Sequence, residues 1–156
     1  IAQVVYERVQ AQFEGCSFLD NVREQITEKQ GAVHLQQQLL SDLLKCSVNV
    51  QNTKTGKKIM RQRLSTKMVL IILDDVDKEK QLEALCDRES VGPGSRIIIT
   101  CRDEHLLSVV EGDKVYKVNP LTDAEALQLF SMKALKKDQL VGKEILKLSK
   151  ELLKYA

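Results

Sequence analysis

The apolar positions of this chain fall into two kinds of run. Some recur every three or four residues, the spacing of one helix face, and others are short and contiguous, as in strands buried on both sides. Ile1, Val5, Val9 and Phe13, with Val4 beside them, predict an opening helix with one apolar face. Gly15 breaks that rhythm, and residues 16–19 read as a short strand. Leu35, Leu39, Leu43 and Leu44 predict a helix ending near Cys46; residues 47–56 read as a polar loop and 57–64 as another helix. The stretch MVLIILDDVD, residues 68–77, begins with six apolar residues that do not alternate and runs directly into two carboxylates. A run of that length and kind predicts a strand at 68–73, covered on both faces as in a parallel sheet.

Leu82, Leu85 and Cys86 place a helix within 78–88, and Gly92-Pro93-Gly94 marks a turn. Three consecutive isoleucines make 96–100 a second buried strand, followed by a short helix at 103–110 and a short strand at 115–118. Thr122 and Glu125 have capping-box spacing, in which the hydroxyl satisfies an orphan N–H and the carboxylate reaches back, and the stripe Ala126, Leu127, Phe130, Ala134 follows. From there the chain reads as helical, with a break at Asp138 and a last stripe of Val141, Ile145, Leu148 and Leu152. Strands alternate with helices up to about residue 118 and only helices follow, so the first part is α/β with a mostly parallel sheet and the second a helical appendage. The first stripe has no cap before it and the last no Gly or Pro after it, so both ends are expected to fall inside helices, as in a piece of a longer protein.

Composition narrows the class. At 156 residues, 43% hydrophobic and 29% charged, the chain is sized to bury a core and is not of disordered composition. A net charge of +2, with bases and acids interspersed, gives no argument for nucleic acid or an anionic membrane. The densest basic stretch, Lys57, Lys58, Arg61 and Arg63, reads as a solvated helix face. Four cysteines without a C-x-x-C pair, and two histidines, argue against zinc and for reduced thiols in a reducing compartment. No apolar run approaches the length of a membrane span.

The chemistry lies where the two buried strands end. Asp74 and Asp75 repel each other unless solvated, paired or facing a cation. In open parallel sheets ligands bind beyond the C-terminal strand ends. A hydrophobic strand running into acid is the Walker B arrangement of P-loop nucleotidases, in which one carboxylate holds Mg²⁺ and a neighbouring acid orients the attacking water. The plain alternative is a solvated turn or helix cap after a buried strand. The second strand ends in Thr100-Cys101-Arg102-Asp103, which puts a hydroxyl and a guanidinium toward the same crevice, where a cation reads a terminal phosphate. Its alternative is an exposed arginine paired with Asp103 or Glu104. The phosphate-cradling run G-x-x-x-x-G-K-[ST] appears nowhere: position 51 is Gln, and Lys58 stands where Ser or Thr is needed, so Gly56-Lys57-Lys58 is expected to be a loop.

Several separated stretches, VVYERVQAQFEGCSFLDNVRE, GAVHLQQQLLSDLL, MVLIILDDVD, GPGSRIIITCRDEHLL, VYKVNPLTDAEALQLFSMKAL and LSKELLKYA, resemble in order the NB-ARC nucleotide-binding module of plant intracellular disease-resistance receptors. Asp77, where a tryptophan is common in the coiled-coil class, and FLDNVRE at 18–24 resemble the class with an N-terminal TIR domain. The resemblance implies a P-loop NTPase-like (STAND) parallel sheet flanked by helices, without its first strand and P-loop. It divides the chain into a partial nucleotide-binding α/β subdomain at 1–120 and the start of a helical ARC subdomain at 121–156. It implies Asp74 as the Mg²⁺-binding acid, Asp75 as the acid near the attacking water, Arg102 as the terminal-phosphate sensor, and Thr100 and Arg23 as further nucleotide-site residues. Cys101 replaces the usual Thr or Ser before the sensor arginine, and the lysine-rich stretch 136–144 lacks a common proline.

The implied function is an ADP/ATP switch in the cytoplasm, closed with ADP and opened by exchange for ATP, with at most slow hydrolysis to reset it. The implied partners are nucleotide, the TIR and leucine-rich-repeat domains of the same receptor, and further copies on activation. Two other classes fit parts of the pattern. One is a turning-over P-loop ATPase. The other is a phospho-acceptor receiver domain, which would need an aspartate where Thr100-Cys101-Arg102 stands. The family's fold is also taken to place the P-loop strand between the strands at 68–73 and 96–100. Its loss would strip both of ladder bonds, so the 156 residues alone are expected neither to fold stably nor to bind nucleotide tightly.

Overall fold

The structure, a computed structural model, describes residues 1–27, 30–109 and 114–134. The elements are, in order, α1 (Ala2–Val9), a 3₁₀ turn at Gln10–Gln12, β1 (Gly15–Leu19), α2 (Val22–Thr27), α3 (Gly31–Leu44), α4 (Thr53–Leu64), β2 (Val69–Val76), α5 (Glu79–Leu85), a 3₁₀ turn at Arg88–Ser90, β3 (Arg96–Cys101), α6 (His105–Val109) and α7 (Asp123–Ala134). The chain separates into two compact units, residues 1–113 and 114–156.

The first unit is built on a parallel sheet in the order β1-β2-β3. β2 is the middle strand, which is why its apolar run does not alternate. Val69, Ile71 and Leu73 belong to the main core with Leu35, Leu39 and Leu43 of α3, Met60 and Leu64 of α4, and Leu82 and Leu85 of α5. Leu70 and Ile72 belong to a second cluster with Ala2, Tyr6 and Val9 of α1, and with Phe18 and Ile98. There the Tyr6 and Phe18 rings meet edge to face at 5.7 Å. The apolar face of α1 is thus Ala2, Tyr6 and Val9, and Ile1, expected on that face, is 76% exposed.

β2 and β3 pair directly, from Leu70 opposite Arg96 to Leu73 opposite Ile99. Nothing is inserted between them, which corrects the expectation of an absent strand at that position. β2 has a neighbour on each side, and the open ladder edges are the outer edges of β1 and β3. The loss of ladder bonds on both sides of a gap therefore does not arise.

Two boundaries also move and one helix is added. α4 begins at Thr53, so Gly56-Lys57-Lys58 lie inside a helix and not in a loop. The Asn52 side chain caps it, accepting from Thr55 N at 2.9 Å. Gly56 is needed there because a Cβ would collide with the Gln36 carboxamide. That side chain is fully buried and held by donation to the carbonyls of Ala84, at 2.8 Å, and Thr53, at 3.2 Å. α2 carries too few apolar residues for a stripe and has no counterpart among the predicted elements. β2 continues past Leu73 to Val76, so the paired acids lie within the strand.

In the second unit, residues 114–122 carry no regular structure, and Val115, Tyr116 and Val118 are exposed, so the short strand expected at 115–118 is absent. α7 starts as its capping box requires: Glu125 Oε2 accepts from Thr122 N at 2.8 Å and from the Thr122 hydroxyl at 2.7 Å. These hydrogen bonds hold the Glu125 carboxyl below its usual range. The break at Asp138 and the stripe from Val141 to Leu152 lie outside the described residues. No helix among the described residues is long and apolar enough to cross a membrane.

Candidate functional site

The site is made by a local mismatch in the β2–β3 ladder. The register runs to Leu73 opposite Ile99 and resumes at Val76 opposite Cys101. Asp74 and Asp75 therefore share a single partner residue, Thr100, in a β-bulge. Asp75 takes a left-handed backbone, φ 56°, a conformation that aspartate tolerates better than most side chains. The Thr100 hydroxyl holds the bulge from across the ladder. It donates to Asp74 Oδ1 at 2.6 Å and accepts from Asp75 N at 2.9 Å.

Two arginines converge on Asp75. Arg23 comes from α2, which begins after Asn21, itself left-handed at φ 46°. The Asn21 carbonyl accepts the first helical N–H groups, from Glu24 at 3.0 Å and Gln25 at 3.1 Å. The Gln25 amide ties back to the Asp20 carbonyl at 2.7 Å. This short helix brings Arg23 Nη2 to 3.0 Å from Asp75 Oδ2. Arg102, just past β3, brings Nε to 3.6 Å from the other oxygen, Oδ1. Asp103 does not take Arg102; it caps α6, accepting from His105 N at 2.9 Å.

All five residues singled out in the sequence, Arg23, Asp74, Asp75, Thr100 and Arg102, line one crevice of about 470 Å³. Asn21, Glu24 and Cys101 complete its wall. Asn21 and Glu24 lie in the FLDNVRE stretch but are not among the site residues singled out in the sequence, and the unforeseen α2 brings them there. Burial pushes the Cys101 thiol up, and its Sγ donates to the Asp103 carbonyl at 3.2 Å. Asp77 stands apart and builds the start of α5: the buried Gln81 side chain accepts from Asp77 N at 2.9 Å and donates to Asp77 Oδ1 at 2.8 Å. A second hollow, about 370 Å³, lies among Lys54, Lys57, Lys58, Arg61 and Gln62. Its lining comes from one helix, so it is the gap between long solvated side chains.

The donor set fits the metal–phosphate end of a nucleotide site. Among the described residues no group of three or more His, Cys, Asp or Glu could hold a metal ion. Two adjacent carboxylates nonetheless suit Mg²⁺, which keeps waters and takes its other ligands from phosphates. Asp74 makes no ion pair among the described residues, and its Oδ1 accepts from the Thr100 hydroxyl. The arginines supply the donors that phosphate oxygens require. The cysteines at 16, 46, 86 and 101 are free thiols.

Comparison with known proteins identifies the family. The NB-ARC domain family model matches residues 1–140. Disease resistance protein RUN1 of Vitis rotundifolia is 45% identical over 137 residues, covering 86% of this chain and 10% of the relative. Disease resistance protein RPV1 of the same species is 43% identical over 141 residues, 88% of this chain and 10% of the relative. TMV resistance protein N of Nicotiana glutinosa is 44% identical over 147 residues, 93% of this chain and 12% of the relative. The chain spans about a tenth of the length of these curated relatives.

Proposed function

Because this chain belongs to the NB-ARC domain family, a P-loop NTPase-type fold, we propose that it forms part of an ADP/ATP-dependent switch in an intracellular plant immune receptor of the TIR and leucine-rich-repeat class. The observation that carries the reading is the bulge that sets Asp74 and Asp75 against Thr100, with Arg23 and Arg102 converging on the second acid. Residues 1–120 are assigned to the nucleotide-binding subdomain and 121–156 to the start of the helical ARC subdomain. A separation into units at residue 113/114 supports a division in that region.

In this reading Asp74 is the Mg²⁺ ligand, and Thr100 acts on the acids by fixing their geometry. Asp75 orients the attacking water, and Arg102 meets the terminal phosphate. Arg23 reaches the crevice through Asp75. Bound Mg²⁺ would neutralise charge on the phosphate oxygens. A switch requires ADP and ATP to favour the two receptor states by different free energies, and a guanidinium reading the terminal phosphate supplies such a difference. Hydrolysis is at most slow and resets the switch. Contacts with TIR and repeat domains, and assembly of copies on activation, belong to the whole receptor.

Calorimetric titration with Mg-ADP tests the role of these 156 residues. They contain no G-x-x-x-x-G-K-[ST] cradle, so binding by the chain alone is expected to be weaker than micromolar. Tight binding would show that the phosphates are held by another part of the chain. In a receptor carrying this sequence, Arg102→Ala is expected to weaken ATP more than ADP, and equal loss for both nucleotides would remove the sensor role.

A further inference from the structure

The repulsion between the adjacent carboxylates is relieved inside the chain: Asp75 is held by two guanidinium groups. They hold it unequally. Arg23 is the close partner at 3.0 Å, with its side chain 38% exposed. Arg102 is the distant one at 3.6 Å, with its side chain 82% exposed. Each takes a different carboxylate oxygen, so one can leave without displacing the other. Asp75 itself is fixed independently of Arg102, through its left-handed backbone and the bond from its N–H to the Thr100 hydroxyl.

We propose that Asp75 is a resident counter-anion for Arg102, so that a terminal phosphate gains this arginine only in competition with the Asp75 carboxylate, while Arg23 keeps that carboxylate in place. This rests on reading the crevice as the phosphate end of a nucleotide site. Asp75 then helps set specificity for the number of phosphates. A chain long enough to reach Arg102 takes it from Asp75, and a shorter one leaves the pair intact. The competition is well matched. The pair is long at 3.6 Å and its arginine is exposed, so it is worth little, and a polyphosphate of higher charge, which guanidinium groups grip through paired oxygens, can win. The carboxylate still raises the concentration needed. Arg102 is therefore occupied in both states, by Asp75 without a terminal phosphate and by that phosphate with it.

The test uses the 156-residue chain, ¹⁵N-labelled, titrated with inorganic tripolyphosphate while the arginine side-chain N–H signals are followed by NMR. In the wild-type chain the Arg102 Nε–H signal is expected to move at lower tripolyphosphate than the Arg23 side-chain signals. Simultaneous movement would overturn the unequal hold. Asp75→Asn keeps a residue that tolerates the left-handed backbone. It is expected to tighten tripolyphosphate about three- to five-fold, as fits loss of an ion pair to the exposed Arg102. In the Arg102→Gln background the same change should gain less than about two-fold, because no arginine remains to be released. An equal gain in both backgrounds would mean simple charge repulsion and would overturn the proposal, as would a tripolyphosphate titration that leaves Arg102 unmoved. Mg-ADP and Mg-ATP titrations of the same samples report separately on the nucleotide reading. Phosphate-dependent shifts at Arg102 with no adenosine-dependent shift would retain the counter-anion and discard that reading.

Discussion

Thr100 and Asp74 are joined across the β2–β3 ladder by a 2.6 Å hydrogen bond from hydroxyl to carboxylate. The same hydroxyl oxygen accepts the N–H of Asp75 at 2.9 Å, so one side chain fixes both acids of the bulge. Thr100→Val keeps the shape and removes both bonds. It is expected to cost about 1–3 kcal/mol, since a part-buried N–H and a carboxylate oxygen lose their partner. Thr100→Ser should retain most of that. Urea unfolding of the three proteins checks it; a valine variant as stable as wild type would show that solvent replaces the hydroxyl.

Gly56 inverts the usual rule for a helical glycine. Replacing glycine by alanine inside a helix ordinarily stabilises by up to about 1 kcal/mol. Here a Cβ would meet the Gln36 carboxamide, with its Cδ at 2.6 Å, and the Val50 Cγ1 at 3.1 Å. Gln36 cannot swing away without breaking its bonds to Ala84 and Thr53 in a buried setting. Gly56→Ala is therefore expected to destabilise by about 1–3 kcal/mol, in the range of overpacking. Adding Gln36→Ala should recover part of it in a double-mutant cycle; strict additivity would place the strain elsewhere.

Cys86 gives the chain an alkaline limit. Burial pushes its thiol from an ordinary 9.0 up to about 11. Between those values the unfolded chain has released a proton that the folded chain retains. This contribution is whole below pH 9 and lost as pH rises toward 11. Its size is on the order of 2 kcal/mol. Cys86→Ala should flatten that part of the stability–pH curve, and an unchanged slope would assign the loss to other groups.

The start of α4 rests on Asn52, whose Oδ1 accepts from Thr55 N at 2.9 Å and from the Thr55 hydroxyl at 3.1 Å. Asn52→Ala should cost about 1 kcal/mol, and Asn52→Asp close to nothing. Thermal unfolding followed by far-ultraviolet circular dichroism measures both. Equal losses for the two variants would mean that the capping oxygen is not what matters.

The sequence by itself determined the three strands, the main helices and five of the eight residues that line the crevice. Those features are local: the unalternating run of β2 is buried on both faces, whereas that of β3, an edge strand, is only half-buried, and a capping box closes within a few residues, as Thr122 and Glu125 do. It also carried the family, because ordered motifs survive in a linear string. Only the tertiary structure decided what the acids touch. That β2 and β3 are neighbours, that two residues of one oppose a single Thr100 of the other, and that Arg23 reaches Asp75 from 52 positions earlier in the chain are relations across space. The same limit hid α2, too short for a hydrophobic period, and misread Gly56, whose reason is a buried Gln36 on another helix. Periodicity reports which face a residue presents; pairing and packing decide what meets it there.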